Sequence, residues 1–433
     1  MSQAGSSWGR WPRCKHQVVL LSNRFAPNLP TGPVLPYGNG RSYGDVCLND
    51  GGTLLATRGL DRFIGFDPAT GVLECEAGVL LAEIIELVLG HGWFLPVTPG
   101  TSLVTVGGAI ANDVHGKNHH RAASFGNHVL EFELQRSDGQ ILRCTPDNLT
   151  EWFEATIGGL GLTGLIRRAR LQLRRVPGPW IRGDSRRFSG LREFLSIARD
   201  SDSDYEYTVA WVDCSTKGKG LGRGIFMRGN HAAATKRPPS GHRLRVPFTP
   251  PISLINRSSL RLFNELYFHR ASAESSDALW HYGSFFYPLD GILEWNRIYG
   301  PNGFFQYQCV VPEPFAQEAL EEMLQRIARY GTGSFLAVLK LFGHARSRGL
   351  MSFPRPGVTL ALDFPNRGVP TLALLESLDE ITRSADGAVY PAKDARMSPA
   401  SFRKYFPDWE RFCNFVDPQF SSSFWRRVTE GPQ

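Results

Sequence analysis

Residues 37–45 read YGNGRSYGD, three glycines in nine residues closing on an acid. Glycine reaches backbone angles closed to other residues, and its missing side chain lets an anion approach the main chain. Successive N–H groups in such a run form a concave nest of donors suited to a pyrophosphate. The pattern returns twice, as PGTSLVTVGGAIANDVHGKNHH at 99–120 and ATIGGLGLTGLI at 155–166. One glycine loop is as often a plain turn as a ligand site. Three of them in the first 166 residues point to one large, extended, phosphate-bearing cofactor. The third is not a Rossmann fingerprint, because GGLGLTG lacks the strand–GxGxxG–helix unit with an acid about 20 residues further on.

Around these loops the chain has the bounds of a globular protein. At 433 residues it exceeds one ordinary hydrophobic core, so two domains are expected. Hydrophobic residues at 42% and charged residues at 21% exclude a disordered or membrane-embedded chain. No apolar run approaches the roughly 20 residues that cross a bilayer. The opening MSQAGSSWGRWPRCKHQ lacks the apolar core of a secretory signal. Seven scattered cysteines without a CxxC pair argue against a disulfide framework and for a reducing compartment, so a cytoplasmic location is expected. The net charge of +7 is spread over the whole length, so no nucleic-acid partner is expected. That charge is compatible with an anionic substrate or with peripheral contact at the inner face of an anionic membrane.

From about residue 33 to 176, short apolar runs alternate with turn signals. DPATG (67–71) and SDGQ (137–140) sit between strand-like runs and read as hairpin turns. VLLAEIIELVLGHG (79–92) has helical spacing and a glycine stop. RRVPGPWIRG (174–183) marks a boundary, after which aromatic-rich strands are expected within 204–214, 303–311 and 335–343. Helices are expected at 186–200 and 313–331, and a basic, proline-rich surface loop at 231–254. The fold class is α+β.

Several motifs, in this order and spacing, carry a resemblance: YGNGRSYGD, TVGGAIANDVHGKNHH, ATIGGLGLTG, EWNRIYGPNGFFQYQ, LKLFG and YPAKDAR. The chain resembles the vanillyl-alcohol-oxidase/p-cresol-methylhydroxylase superfamily of FAD enzymes. Within it the chain is similar to the flavoprotein oxidases acting on polyprenyl-phosphoryl ribose. The likeness runs from about residue 35 to about 430. It implies a two-part FAD-binding domain of the vanillyl-alcohol-oxidase type, residues 1–176 completed by 388–433, with an antiparallel-sheet substrate domain inserted at 177–387. Relatives that hold FAD covalently often carry a histidine before the serine of the first loop. Here Arg41 precedes Ser42, which implies non-covalent FAD.

Carried over by motif, the resemblance assigns cofactor contacts to Tyr37, Gly38, Asn39, Gly40, Arg41, Ser42, Tyr43, Gly44 and Asp45. In the second loop it assigns them to Gly100, Thr105, Val106, Gly107, Gly108, His115, Gly116, Lys117 and Asn118. Ile166 and Tyr390 complete the set. Lys393 and His115 receive the catalytic roles. The substrate is assigned to Lys117, Tyr43, Trp211, Tyr299, Gln308, Lys340, Thr359 and Ala361, although aromatics on strands are also ordinary core. Where family members carry a cysteine facing the flavin, this chain has Ala361, with Thr359 at a nearby asparagine. A thiol is not required for hydride transfer, so oxidation is expected to survive.

The implied reaction takes the 2′-hydroxyl of a lipid-linked sugar phosphate to a ketone. A separate NAD(P)H-dependent keto-sugar reductase then completes epimerisation to arabinose. A lysine beside the reacting carbon steadies an alkoxide, and in a low-dielectric pocket it titrates low enough to take a proton. His115, His119 and His120 have a spacing that a metal site also uses. Gly116 interrupts them and no acid follows in HExxH fashion, so no metal is expected. Two other readings remain open. One is an FAD-dependent alditol or aldonolactone oxidase, and the other a non-catalytic nucleic-acid or membrane binder using the positive charge.

Overall fold

The computed structural model describes residues 5–25, 29–234, 236, 243–271, 274–331 and 333–430. The first glycine loop leaves the end of a small parallel sheet made of Gln17–Leu20, Thr53–Ala56 and Val34–Tyr37, in that spatial order. Thr53–Ala56 is its central strand and is buried throughout, as parallel strands covered on both faces are. Beside it lies a five-stranded antiparallel sheet in the order Phe63–Asp67, Val72–Glu76, Leu165–Gln172, Val129–Gln135 and Ile141–Cys144.

The two expected hairpins are present. In the first, Asp67 Oδ1 accepts from Ala69 N–H and Oδ2 from the Thr70 hydroxyl, closing the DPATG turn. Alternation along Leu165–Gln172 sends Ala169 and Leu171 into the core. Arg168 and Arg170 point the other way. Arg168 bridges Glu74, Glu131 and Glu133 on the neighbouring strands, at 2.5, 3.1 and 2.8 Å.

After the Val-Pro-Gly-Pro break a large antiparallel sheet begins. Its order is Glu274–His281, Trp180–Phe188, Gly224–Ala232, Tyr207–Val212, Val338–Phe342, Gly357–Pro365, Phe304–Val311 and Ala388–Val389. The three aromatic-rich runs all contribute strands to it. The helix expected at 186–200 starts later. Residues 186–188 close the strand Trp180–Phe188, paired with residues 224–226, and the helix is Leu191–Asp200. Ser189 and Gly190 separate the two, and the buried Phe188 belongs to strand alternation rather than to the helical stripe.

Glu313–Tyr330 is the long helix, stopped by Gly331 at φ +83°. It buries Ala316, Leu320, Met323, Leu324 and Ile327 at the spacing of one face. The stretch at 79–92 is a helix, Leu81–Val88, running into one tight turn that ends at Gly92. Of the surface loop expected at 231–254, residues 235 and 237–242 lie outside the described residues. His231 and Ala232 end a sheet strand instead, and Leu244–Arg245 pairs in parallel with Ile292–Leu293.

The C-terminal segment returns to the first loop. Val34 N–H donates to Gln419 O and Ser423 N–H to Leu48 O, both at 2.8 Å. Arg427 lies between Asp45 at 2.8 Å and Asp394 at 3.0 Å, clamping the first glycine loop to the YPAKDAR segment. Among the described residues no helix is long and apolar enough to cross a membrane. All seven cysteines are unpaired.

Candidate active site

A cavity of about 560 Å³ opens where the glycine loops face the large sheet. That size falls within the roughly 300–1,000 Å³ of small-molecule and cofactor sites. One wall is main chain. Residues 38–43, Gly100, Thr105, Gly107, Gly108 and residues 115–117 line it, together with Ile166 and Tyr390. The loops are fastened to one another: Asn39 Nδ2 donates to Leu103 O, and Tyr43 N–H donates to Ala392 O. At Gly44 the packing is too close for any side chain, because an added Cβ would lie 1.8 Å from Asp394 O. Thr105 caps the helix Val106–Ala111, its hydroxyl accepting from Gly108 N–H.

The opposite wall is built from side chains on three adjacent strands. Strand residues two apart share a face, so Gln306 and Gln308, Val338 and Lys340, and Ala361 and Asp363 all look into the cavity. Gln306 stands opposite Asp363 and donates to its Oδ1 at 2.6 Å. Gln308 Nε2 donates to His115 Nε2 at 2.8 Å and to the Thr359 hydroxyl at 3.2 Å. His115 therefore accepts at Nε2, which places its proton on Nδ1. Burial, with Lys340, His119 and Lys393 nearby, holds this imidazole neutral, its pKa well below the usual histidine range.

Three lysines meet in this cavity, each half-buried: enclosed by protein yet open to the cavity. Burial lowers Lys117 to about 7, with Lys340 adding to the effect. Its Nζ donates to Phe285 O and sits 4.4 Å from the Phe285 ring centre. Burial lowers Lys340 to about 8. Lys393 lies with Nζ 3.9 Å from the Tyr43 ring centre. Burial lowers it to about 7, the Asp363 charge opposing that shift and Lys340 adding to it. Burial also raises Asp363, to about 6, against the Gln306 hydrogen bond, Lys393 and the Tyr299 hydroxyl.

Not every expected residue reaches the cavity. Tyr37 is core, its hydroxyl donating to Ser6 O. Gly44 and Asp45 serve the clamp against Asp394 and Arg427. Val106 is buried in the helix core, and Asn118 donates to Pro96 O and Glu206 Oε1. Tyr299 stacks on Phe304 at 4.1 Å and donates to Asp363, so it stands behind the wall. Thr359 lies under Gln308 rather than in the open. Trp211 does line the cavity, with Nε1 donating to Phe335 O.

The three histidines find different partners, although His115 and His119 both pack on Phe342. His115 meets Gln308, His119 packs on Phe342, and His120 meets Tyr205 O. Among the described residues no group of three His, Cys, Asp or Glu side chains is placed to hold a metal ion.

Motif reading passed over Asp363, Gln306 and Asp290. Asp363 had a signal, as the one acid within the apolar strand VTLALDFP, where burying a charge is costly without partners. Asp290 had none. It fixes the second loop by accepting from the Thr101 hydroxyl, Ser102 N–H and the Ser102 hydroxyl.

Comparison with known proteins now bears on this geometry. Residues 28–145 match an FAD binding domain family. Decaprenylphosphoryl-β-D-ribose oxidase of Mycolicibacterium smegmatis is 37% identical over 415 residues, covering 91% of this chain and 89% of that one. The chain belongs to the FAD-dependent oxidoreductase family of that oxidase. A Streptomyces coelicolor protein described only by its position in the mprA 5′ region is 34% identical, over 81% of this chain and all of its own length. Cytokinin dehydrogenase 8 of rice is 30% identical over 214 residues, 45% of this chain and 40% of that enzyme.

The residues of this FAD-dependent oxidoreductase fit its cofactor. Arg41 packs 4.1 Å over the Trp8 ring, and its buried Nε has no hydrogen-bond partner among the described residues, an orphaned donor suited to a phosphate oxygen. At Gly100 nothing among the described residues, its chain neighbours aside, lies within 4 Å of where a Cβ would sit, so the main chain there is open to a ligand.

Proposed function

We propose that the chain oxidises the 2′-hydroxyl of a polyprenyl-phosphoryl-β-D-ribofuranose to the 2′-keto sugar, the first half of an epimerisation to arabinose. A separate NAD(P)H-dependent reductase would complete that conversion. The observation that carries the reading is the convergence of Lys117, Lys340 and Lys393 on one cavity beside the glycine loops. An uncharged polyol gives Lys117 and Lys340 nothing to neutralise, whereas a phosphorylated sugar does. The mycobacterial relative, an oxidase of decaprenylphosphoryl-β-D-ribose, agrees with that substrate class.

FAD, when bound, supplies a two-electron acceptor for a hydride. Residues 38–43, Gly100, Thr105, Gly107 and Gly108 would hold it through main-chain donors, and Arg41 through its orphaned Nε. With arginine rather than histidine before Ser42, it is held without a covalent bond. The remaining work falls to side chains. Lys117 and Lys340 hold the substrate phosphate. Lys393, with a pKa of about 7, is partly neutral at physiological pH and takes the hydroxyl proton. His115 stays neutral and orients Gln308 toward the sugar. Trp211 and Tyr43 form the sides, and Ala361 leaves more room than a cysteine would.

In the same reading, residues 1–176 and 388–433 form a two-part FAD domain of the vanillyl-alcohol-oxidase type, and 177–387 form the substrate domain. The enzyme works in the cytoplasm, at the inner face of the membrane that holds its substrate.

Anaerobic titration of the purified protein tests the substrate. Polyprenyl-phosphoryl ribose is expected to bleach the flavin absorbance, and free alditols and aldonolactones are not. Bleaching by the free sugars alone would replace this reading with a soluble-sugar oxidase. A colourless protein that refuses added FAD would remove both.

A further inference from the structure

The largest concentration of exposed apolar side chains lies outside the cavity, in the segment from 244 to 266. Leu244, Phe248, Ile252, Leu254, Leu262 and Leu266 are each more than half exposed. Soluble proteins rarely expose so many large apolar groups along one short stretch of chain without a use for them. Four arginines, Arg243, Arg245, Arg257 and Arg261, are interleaved with them and exposed. The one acid in the stretch, Glu265, is engaged by Arg223 at 2.6 Å and by His269 at 3.2 Å.

The helix Arg257–Arg270 has two faces. Leu260 and Asn264 are buried, and Phe263 packs on Phe335 at 4.6 Å. Leu262 and Leu266, one turn apart, are exposed and have no core to cover. Apolar residues flanked by arginines and free of unpaired acid complement the surface of a bilayer with anionic headgroups. The apolar groups enter the acyl boundary and the guanidinium groups meet the phosphates.

The patch also adjoins the cavity. Tyr267, on the same helix, lines it and meets Trp211 edge-on at 4.9 Å. Leu244–Arg245 pairs with Ile292–Leu293, which lines it too. Leu254 N–H donates to Ile298 O.

We infer that residues 243–266 form a docking surface for an anionic lipid bilayer, which brings the cavity to the membrane plane. Its purpose rests on the reading of the substrate as lipid-linked. Its test needs no substrate, so the two ideas fail separately.

The test is flotation of the FAD-loaded protein with vesicles of phosphatidylcholine alone or with 30% phosphatidylglycerol, compared across three variants. Wild-type protein is expected to float with the anionic vesicles and at least about tenfold less with the neutral ones, since each arginine near an anionic surface adds attraction. Ile252→Ser/Leu262→Ser/Leu266→Ser and Arg257→Glu/Arg261→Glu should each lose about tenfold of that binding while keeping bound flavin. Val369→Ser, at an exposed apolar residue elsewhere, should float like wild type.

Three outcomes overturn the inference. In one, wild-type protein stays unbound on anionic vesicles. In another, sedimentation shows a dimer that the leucine variant abolishes with vesicle binding unchanged. In the third, the leucine variant floats normally but loses affinity only for long-chain substrate in micelles, which makes the patch a groove for the prenyl tail.

Discussion

The two walls of the cavity are made in different ways. The wall at residues 38–43 and 99–108 is main chain, held by contacts so close that the sequence must spend glycines on them. The wall on Phe304–Val311, Val338–Phe342 and Gly357–Pro365 is side chain, placed by strand register, with glutamines, a lysine and an acid at every second position. The first suits a ligand with a fixed diphosphate. The second suits a reacting group whose protons must be managed. Damage to the main-chain wall should therefore cost the cofactor, and damage to the side-chain wall should cost the chemistry with the cofactor still in place.

Gly44→Ala breaks the main-chain wall. Its Cβ would fall 1.8 Å from Asp394 O, a main-chain atom that no rotamer change can move. Overpacking of this kind costs about 1–3 kcal/mol, and every 1.4 kcal/mol is about tenfold in affinity. The variant should retain at least about tenfold less flavin after gel filtration, read from its visible absorbance. Wild-type flavin content in the variant would mean that the first loop yields, and the contrast between the walls would weaken.

Lys393→Ala addresses the chemistry instead, at a side chain that lines the cavity and faces Asp363 of the side-chain wall. Flavin content should stay at the wild-type level while substrate-dependent bleaching slows by about 10²–10³-fold, the usual loss for one group that manages charge in a transition state. Loss of flavin together with activity would instead make Lys393 a support for the cofactor loops, through the neighbouring clamp of Asp394 on Arg427.

This contrast also explains what could be read beforehand. The main-chain wall was legible because a glycine leaves a visible mark: residues 38, 40, 100, 107 and 108 all reach the cavity. Strand runs and the long helix Glu313–Tyr330 were legible through periodicity. Asp45 and Asn118 were misplaced for one shared reason. A motif names a stretch, and the residues at its end leave the cavity, toward Arg427 in one case and Glu206 in the other. Asp363 and Asp290 were missed because their partners are distant in sequence. Gln306 is 57 residues from Asp363, and Thr101 is 189 from Asp290. Such pairs exist only once the chain has folded.

A subtler change separates charge from shape on the side-chain wall. The Asp363 carboxylate favours protonated Lys393 and so opposes the fall that burial imposes on it. Asp363→Asn keeps the size and removes that charge, so the Lys393 pKa drops further. If neutral Lys393 takes the hydroxyl proton, the bleaching rate in wild type rises with pH through about 7. In the variant this rise moves to lower pH, a gain of a few-fold on the acid side of the profile. An unmoved profile assigns the ionisation to another group.

The smallest effect is on stability. Lys117, Lys340 and Lys393 have pKa values of about 7, 8 and 7 in the folded chain, against about 10.4 for a free lysine. Between those limits the unfolded chain binds more protons than the folded one, so stability rises with pH. The three lysines thus weaken the flavin-free protein at neutral pH and weaken it less as the solution becomes alkaline. Its melting temperature should climb by a few degrees from pH 7 to pH 9. Inorganic pyrophosphate at pH 7 should give part of the same gain, because an anion restores partners to the protonated side chains. Lys117→Met/Lys340→Met/Lys393→Met should flatten the pH slope and abolish the pyrophosphate effect, because the cavity then carries no lysine charge to relieve. An equal slope in that variant would trace the pH dependence to groups other than these three lysines.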